Sequence, residues 1–159
     1  MIIKNEITAG DLIAMAGFVA AAIGLFLTFY QIFKSNKHKR AEFIMDFCKQ
    51  FMDSNDLLKV YYDIEYGSFY SPVIASHSPE EVKLDKLLML FENVSMLYEM
   101  GNICLKDLSV ISYYFIRVYE NEGVKQYLSF LDDWCNKSGL PKRYSSFRNV
   151  CIALGKNGN

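Results

Sequence analysis

The sequence lacks the short motifs that usually hold metals, nucleotides and other cofactors. It has no C-x-x-C pair, and its cysteines and histidines are few and far apart. Structural zinc sites instead use closely spaced cysteines and histidines. There is also no G-x-x-x-x-G-K and no G-x-G-x-x-G phosphate-binding loop. We therefore expect no metal, no cofactor, and free thiols in a reducing cytosol. The residues concerned are Cys48, Cys104, Cys135, Cys151, His38 and His77.

The chain also lacks an excess of charge of either sign. It contains 17 basic and 18 acidic residues, for a net charge of -1. The only charged residues before Phe33 are Lys4, Glu6 and Asp11. The chain after Phe33 therefore holds equal numbers of basic and acidic residues and is neutral. Phosphate binding needs a clear excess of Lys and Arg. Nucleic acid is therefore not expected as the main partner, and no pattern indicates a small-molecule substrate.

A third absence is local, because Leu12 to Phe33 contains no charged side chain. As a helix, this stretch is about 33 Å long, against a bilayer hydrocarbon core of about 30 Å. The stretch predicts a single transmembrane helix over residues 12–33, after a short extracytoplasmic N-terminus of residues 1–11. A cleaved signal peptide is the alternative. The acidic start, the long run and the poor cleavage context after Phe33 favour an uncleaved anchor.

Basic residues follow the apolar stretch and predict its orientation. One basic residue precedes the stretch, whereas four follow it closely. Basic residues are retained on the cytoplasmic side, where they also meet anionic headgroups. We expect the N-terminus outside, and the C-terminal domain in the cytoplasm of the bacterial inner membrane. The predicted headgroup-facing cluster is Lys34, Lys37, Lys39 and Arg40.

Small residues recur every four positions within the apolar stretch. Such spacing lets two helix backbones approach closely, and a threonine on the same face can hydrogen-bond across the contact. This pattern predicts self-association in the membrane, and the alternative is that Ala and Gly are simply common in such helices. The predicted contact face is Ala16, Gly17, Ala20, Ala21, Gly24 and Thr28.

The remaining chain has the periodicity of an all-α protein. Residues 34–154 predict one compact cytosolic bundle of about five to six helices, followed by a frayed tail at residues 155–159. Ser54-Asn55-Asp56 predicts a helix break, and Ser78-Pro79-Glu80-Glu81 predicts the start of a central helix that ends at Gly101. The later helices are predicted over 105–119, over 124–134 with Trp134 buried, and over 144–154.

Two further features of the bundle carry alternatives. The uncharged loop from Gly67 to Ser78 holds apolar residues that either fold back onto the core or form a partner surface, namely Phe69, Tyr70, Val73 and Ile74. Three carboxylates also recur every seven residues along the central helix: Asp85, Glu92 and Glu99. Carboxylates near a core can act as acids or bases, or they simply pair with Lys86, Arg117 or Lys125, or remain solvated.

The central helix carries the sequence D-K-L-L-M-L-F-E-N-V from Asp85 to Val94, after a membrane segment, a basic stop and an amphipathic helix. In this layout, the region from Lys37 to Trp134 resembles bacterial single-pass membrane-anchored helical proteins, some of which are grouped with phage abortive-infection proteins. The resemblance implies a role as a phage-defence membrane effector. It transfers no catalytic residue.

Three hypotheses follow from the sequence. The first is a non-enzymatic, membrane-anchored helical protein that binds a protein partner or self-associates, as a homo-oligomer, through its membrane helix. The second is a membrane-tethered enzyme that uses the carboxylates of the central helix. The third is an accessory subunit of a larger membrane complex, which co-purification in mild detergent would distinguish from the first.

Overall fold

Helices make up the regular structure of this protein. The computed structural model describes residues 9–69 and 78–157, and within these ranges it contains no strand. The all-α class is confirmed. Two compact units divide between Lys39 and Arg40, and the second, residues 40–159, is called the bundle below. The described helices are α1 (Ala9–Asp53), α2 (Asn55–Glu65), α3 (Pro79–Glu99), α4 (Leu105–Leu108), α5 (Ser112–Glu120), α6 (Glu122–Ser138) and α7 (Ser145–Asn157).

The end of α1 is set by a local capping signal. Ser54 leaves the helical conformation, and its side chain accepts a hydrogen bond from the Leu57 amide at 3.4 Å. An N-cap of this kind satisfies one of the free donors in the first turn of α2. The predicted break at Ser54 is confirmed.

The central helix α3 begins and ends at the predicted signals. The Ser78 hydroxyl accepts from the Glu81 amide at 3.1 Å, and Pro79 occupies the first helical position. After Met100 the chain turns at Gly101, whose φ of +75° is strained for any residue with a Cβ.

The predicted helix over 105–119 is wrong, because the chain breaks it into α4 and α5. The Ser109 hydroxyl donates to the Lys106 carbonyl at 2.7 Å, and the Ser112 hydroxyl donates to the Ser109 carbonyl at 2.8 Å. These local bonds compete with helical hydrogen bonding. The break leaves Val110 exposed on the surface.

Four phenylalanine rings from different helices meet inside the core of the bundle. The rings of Phe91 on α3 and Phe115 on α5 stack with centroids 4.5 Å apart. Phe47 of α1 and Phe147 of α7 lie 5.8 and 5.7 Å from Phe91. Ring pairs at these separations add to the stabilisation from burial. The central position predicted for α3 is therefore correct.

Helix α6 begins where Asn121 accepts from the Val124 amide at 3.1 Å. It continues to Ser138, beyond the predicted end. Trp134 is 49 % exposed, so its predicted burial is wrong. The reason is helical phase, since the buried residues of α6 centre on a line roughly 80° from Trp134 at 100° per residue.

Candidate functional site

The apolar part of α1 is uncovered along its whole described length. Every described side chain from Ile13 to Phe33 is exposed, including Phe18 at 77 % and Phe26 at 71 %. Among the described residues, α1 is the one helix long and apolar enough to cross a membrane by length and composition. None of its most apolar window is buried, although the core helix of a soluble protein would be mostly buried. Exposed apolar surface on this scale marks contact with lipid or with another protein.

The predicted contact face is also open. All six of its residues are exposed, and a Cβ built on Gly17 or Gly24 meets nothing within 4 Å. The Thr28 hydroxyl donates to the Gly24 carbonyl of its own helix at 2.8 Å. Its proton is thereby used within α1, and its lone pairs remain as acceptors for a neighbouring helix.

The predicted basic cluster divides into two kinds of residue. Lys34, Lys37 and Lys39 are exposed. Arg40 instead places Nη1 at 3.9 Å from Asp107 Oδ2, with 39 % of its side chain exposed. An ion pair this long at a surface contributes little stability. It does show that Arg40 lies beside α4.

Of the four residues predicted to form a partner surface, Phe69 is the one that the structure describes. Phe69 is half-buried and packs against the core, and its amide donates to the Asp63 carbonyl at 2.9 Å. A Cβ on Gly123 would lie 3.0 Å from the Phe69 ring, so this ring packs closely against the start of α6. Phe69 therefore folds back. Tyr70, Val73 and Ile74 lie outside the described residues.

The three carboxylates of α3 bind other helices, and the first of them is Asp85. Its Oδ1 accepts from the hydroxyls of Tyr127 and Tyr144, each at 2.8 Å, and Arg143 Nη2 lies 3.5 Å from Oδ2. Burial, and then the hydrogen bond to Asp85, raise the pKa of both tyrosines, which keeps them protonated as donors. Tyr144 adopts φ +57°, an outlier for a bulky residue.

Glu92 acts as a cap for a helix that is not its own. Its carboxylate accepts from the amides of Ser146 at 3.3 Å and Phe147 at 2.7 Å. These amides belong to the first turn of α7, where they have no partner within the helix. A negative charge there also interacts favourably with the helix dipole.

Glu99 makes the third link between α3 and α7. It accepts from Asn149 Nδ2 at 2.8 Å and from the Ser146 hydroxyl. These two hydrogen bonds, with Asn149 the larger contributor, lower the pKa of Glu99. A carboxylate that works as an acid was expected to have a raised pKa, whereas the pKa of Glu99 is lowered.

Two of the basic residues predicted to pair with these carboxylates, Arg117 and Lys125, pair elsewhere, and the basic partner of Asp85 is Arg143 instead. Arg117 binds Glu65 with Nε at 3.0 Å, and Lys125 binds Glu122 at 2.7 Å. Both basic residues are therefore used elsewhere. The spacing along α3 identified a real feature of the molecule, a row of carboxylates that joins α3 to α6 and α7.

A second polar cluster, around Glu65, was not predicted. Glu65 Oε1 accepts from the Tyr113 hydroxyl at 2.6 Å, and Oε2 accepts from the Tyr61 hydroxyl at 3.1 Å and from Arg117. These bonds, that from Tyr113 foremost, lower the pKa of Glu65. The i,i+4 spacing of Tyr61 and Glu65 could have predicted their contact. Nothing in the sequence indicates that Tyr113 and Arg117 also reach Glu65. A cavity of about 170 Å³ adjoins the cluster, lined by Ile64, Glu65, Gly67, Arg117, Glu120 and Asn121.

The cysteines are free, and two have perturbed thiols. Burial raises the pKa of Cys48 and of Cys151, which keeps these thiols protonated at neutral pH. Within residues 9–69 and 78–157, no group of three or more His, Cys, Asp or Glu side chains is placed to hold a metal ion.

The sites above therefore rest on the geometry of the chain's own residues. Comparison with known proteins adds no assignment to them. No family model, no curated protein and no solved structure matches this chain.

Proposed function

We propose that this protein is a non-enzymatic, single-pass anchored protein of the bacterial inner membrane that acts by self-association or by binding a protein partner. One observation carries the proposal, namely the exposure of every described side chain from Ile13 to Phe33. In water, such a surface costs roughly 25 cal/mol for each Å² left uncovered. A bilayer removes that cost.

The flanking charge supports the orientation. Lys34, Lys37 and Lys39 are exposed and follow the apolar stretch directly. Near a cytoplasmic leaflet, each contributes about 1 kcal/mol of attraction to anionic lipid. The bundle accordingly lies in the cytoplasm and the N-terminus outside.

Self-association is the first mode of action that we propose. The open face of Gly17 and Gly24 supports it, since nothing in the described chain occupies the space beside these glycines. Helix packing in lipid depends on close backbone approach, which larger side chains prevent. The resemblance to phage abortive-infection proteins suggests a biological setting, in which assembly on infection perturbs the membrane and stops growth.

The contact face can be tested by adding bulk on and off it. Ala20→Leu and Gly24→Leu place a leucine on the face, whereas Ala22→Leu makes the same change about 200° from Ala20 around the helix. We expect the two on-face variants to shift the protein from oligomer to monomer in mild detergent, and to abolish growth arrest on overexpression. Ala22→Leu should behave as the unchanged protein. An unchanged oligomer ratio in both on-face variants would contradict self-association and leave a different protein as the partner.

A further inference from the structure

The chain enters the bundle at one of its two ends. Arg40 is the first residue of the bundle, and its guanidinium lies 3.9 Å from the Asp107 carboxylate on α4. We call residues 100–111 the α4 corner. The pair with Arg40 places this corner at the end of the bundle where the chain enters.

The surface of the α4 corner is apolar and carries one exposed basic side chain. Met100 is 69 % exposed and Val110 is 71 % exposed, and Lys106 is also exposed. The one acidic residue of the corner is Asp107. Its carboxylate accepts from the Cys104 amide at 2.8 Å and lies 3.9 Å from the Arg40 guanidinium, so positive charge and a donor face it.

The opposite end of the bundle carries acidic residues. It is the end where α1 stops at Asp53 and where Lys83 of α3 pairs with Asp56 at 3.3 Å. The first turn of α3 adds Glu80 and Glu81. Helix α3 runs from this end to the α4 corner over 21 residues, which is about 32 Å. An anionic surface therefore repels the acidic end more strongly than the corner, where Lys106 can approach it.

These observations point to a lipid surface as the occupant of the α4 corner, an inference that rests on the proposed membrane anchor. The apolar stretch ends at Phe33, seven residues before Arg40, and seven residues of chain reach at most about 25 Å. We propose that the α4 corner lies against the cytoplasmic leaflet, with Met100 and Val110 at the level of the headgroups and Lys106 beside an anionic lipid phosphate. The corner thereby sets which end of the bundle faces the membrane.

The chain offers a matched test because it contains a single tryptophan. In a Trp134→Phe background, one tryptophan is introduced at a time, at Val110, at Val82 or at Phe26. Val82 is the control, since it is also an exposed valine but lies near the start of α3, about 27 Å along the helix from Met100. The full chain is reconstituted in vesicles of phosphatidylcholine and phosphatidylglycerol that contain brominated phosphatidylcholine, which quenches nearby tryptophan.

We expect quenching and a blue-shifted emission for Val110→Trp and Phe26→Trp, and neither for Val82→Trp. Adding Lys106→Glu to Val110→Trp should reduce the quenching. Quenching at position 26 without quenching at position 110 would overturn the corner and leave the anchor in place. Equal quenching at positions 82 and 110 would also overturn it. Absence of quenching at position 26 would overturn the proposed anchor itself.

Discussion

One helix contains two regions with opposite surfaces. From Ile13 to Phe33, the described side chains of α1 are all exposed, and most are apolar. Within the bundle, the same helix buries Ile44, Phe47 and Phe51, each less than 10 % exposed. The second region has the pattern of a helix packed against one side of a core, while the first has no such pattern. The difference teaches that a single helix can carry one region packed into a core and one exposed apolar region, and each prediction below tests one side of that contrast.

The largest expected effect comes from removing equivalent rings on the two sides. Phe51→Ala leaves a cavity among Phe47, Phe91 and Tyr61, so we expect it to lower the free energy of unfolding of the bundle by about 3–5 kcal/mol. Phe26→Ala removes an exposed ring and should leave that free energy unchanged. Urea unfolding in mild detergent, followed by circular dichroism, measures both. Equal losses in the two variants would remove the distinction between the regions.

A smaller effect is expected from the link between α3 and α7. Glu92→Gln removes the charge that caps α7 and leaves a weaker acceptor for the amides of Ser146 and Phe147. We expect a loss of about 1–3 kcal/mol in the same unfolding measurement. Glu42→Gln, an exposed carboxylate on α1, is the matched control and should cost less than about 0.5 kcal/mol. If the Glu92→Gln protein is as stable as this control, the charge of Glu92 contributes nothing measurable to the free energy of unfolding.

The smallest effect concerns pH, and it should affect the bundle alone. Arg148 donates to both oxygens of Asp132 at 2.6 and 2.8 Å and lowers the pKa of Asp132, and hydrogen bonds lower that of Glu99. A lowered folded-state pKa contributes stability that is complete above the unfolded value and is lost as pH falls toward the folded value. Bundle stability should therefore begin to fall near the ordinary values of about 4.5 for Glu and 3.8 for Asp.

Substitution assigns this acid sensitivity to its source. Asp132→Asn and Glu99→Gln should each flatten the decline of the unfolding free energy with falling pH. Retention in the membrane should not change over the same range, since no charged residue lies between Ile13 and Phe33. A decline just as steep in the double variant would assign the acid sensitivity to other groups.

The parts of the fold with local causes could be predicted from the sequence. Ser54 and Ser78 cap the helices that follow them, and Gly101 ends α3, because each acts within a few residues of its own position. The exposed apolar stretch was equally readable from its length and lack of charge. The break at Ser109 had a signal in its two serines, but hydrophobic periodicity across it predicted a continuous helix.

The candidate sites depended on contacts that no local pattern contains. The spacing of Asp85, Glu92 and Glu99 placed them on one side of α3, but their partners come from helices about 40 to 60 residues later. The pair between Arg40 and Asp107 is even more distant in sequence. Such pairs depend on how helices pack in three dimensions, which periodicity within each helix does not encode.

The most direct test of the central claim is alkaline extraction of the full-length chain from membranes of expressing cells, followed by intact mass measurement. We expect the protein to stay in the membrane pellet at a mass of 18.3 kDa. Leu25→Arg should move it toward the soluble fraction, because an arginine near the centre of a span costs about 2.5–3.5 kcal/mol. Met45→Arg, at an exposed position of the same helix within the bundle, should not. Recovery of the unchanged chain in the soluble fraction, or of a shortened chain cleaved after Phe33, would contradict the account.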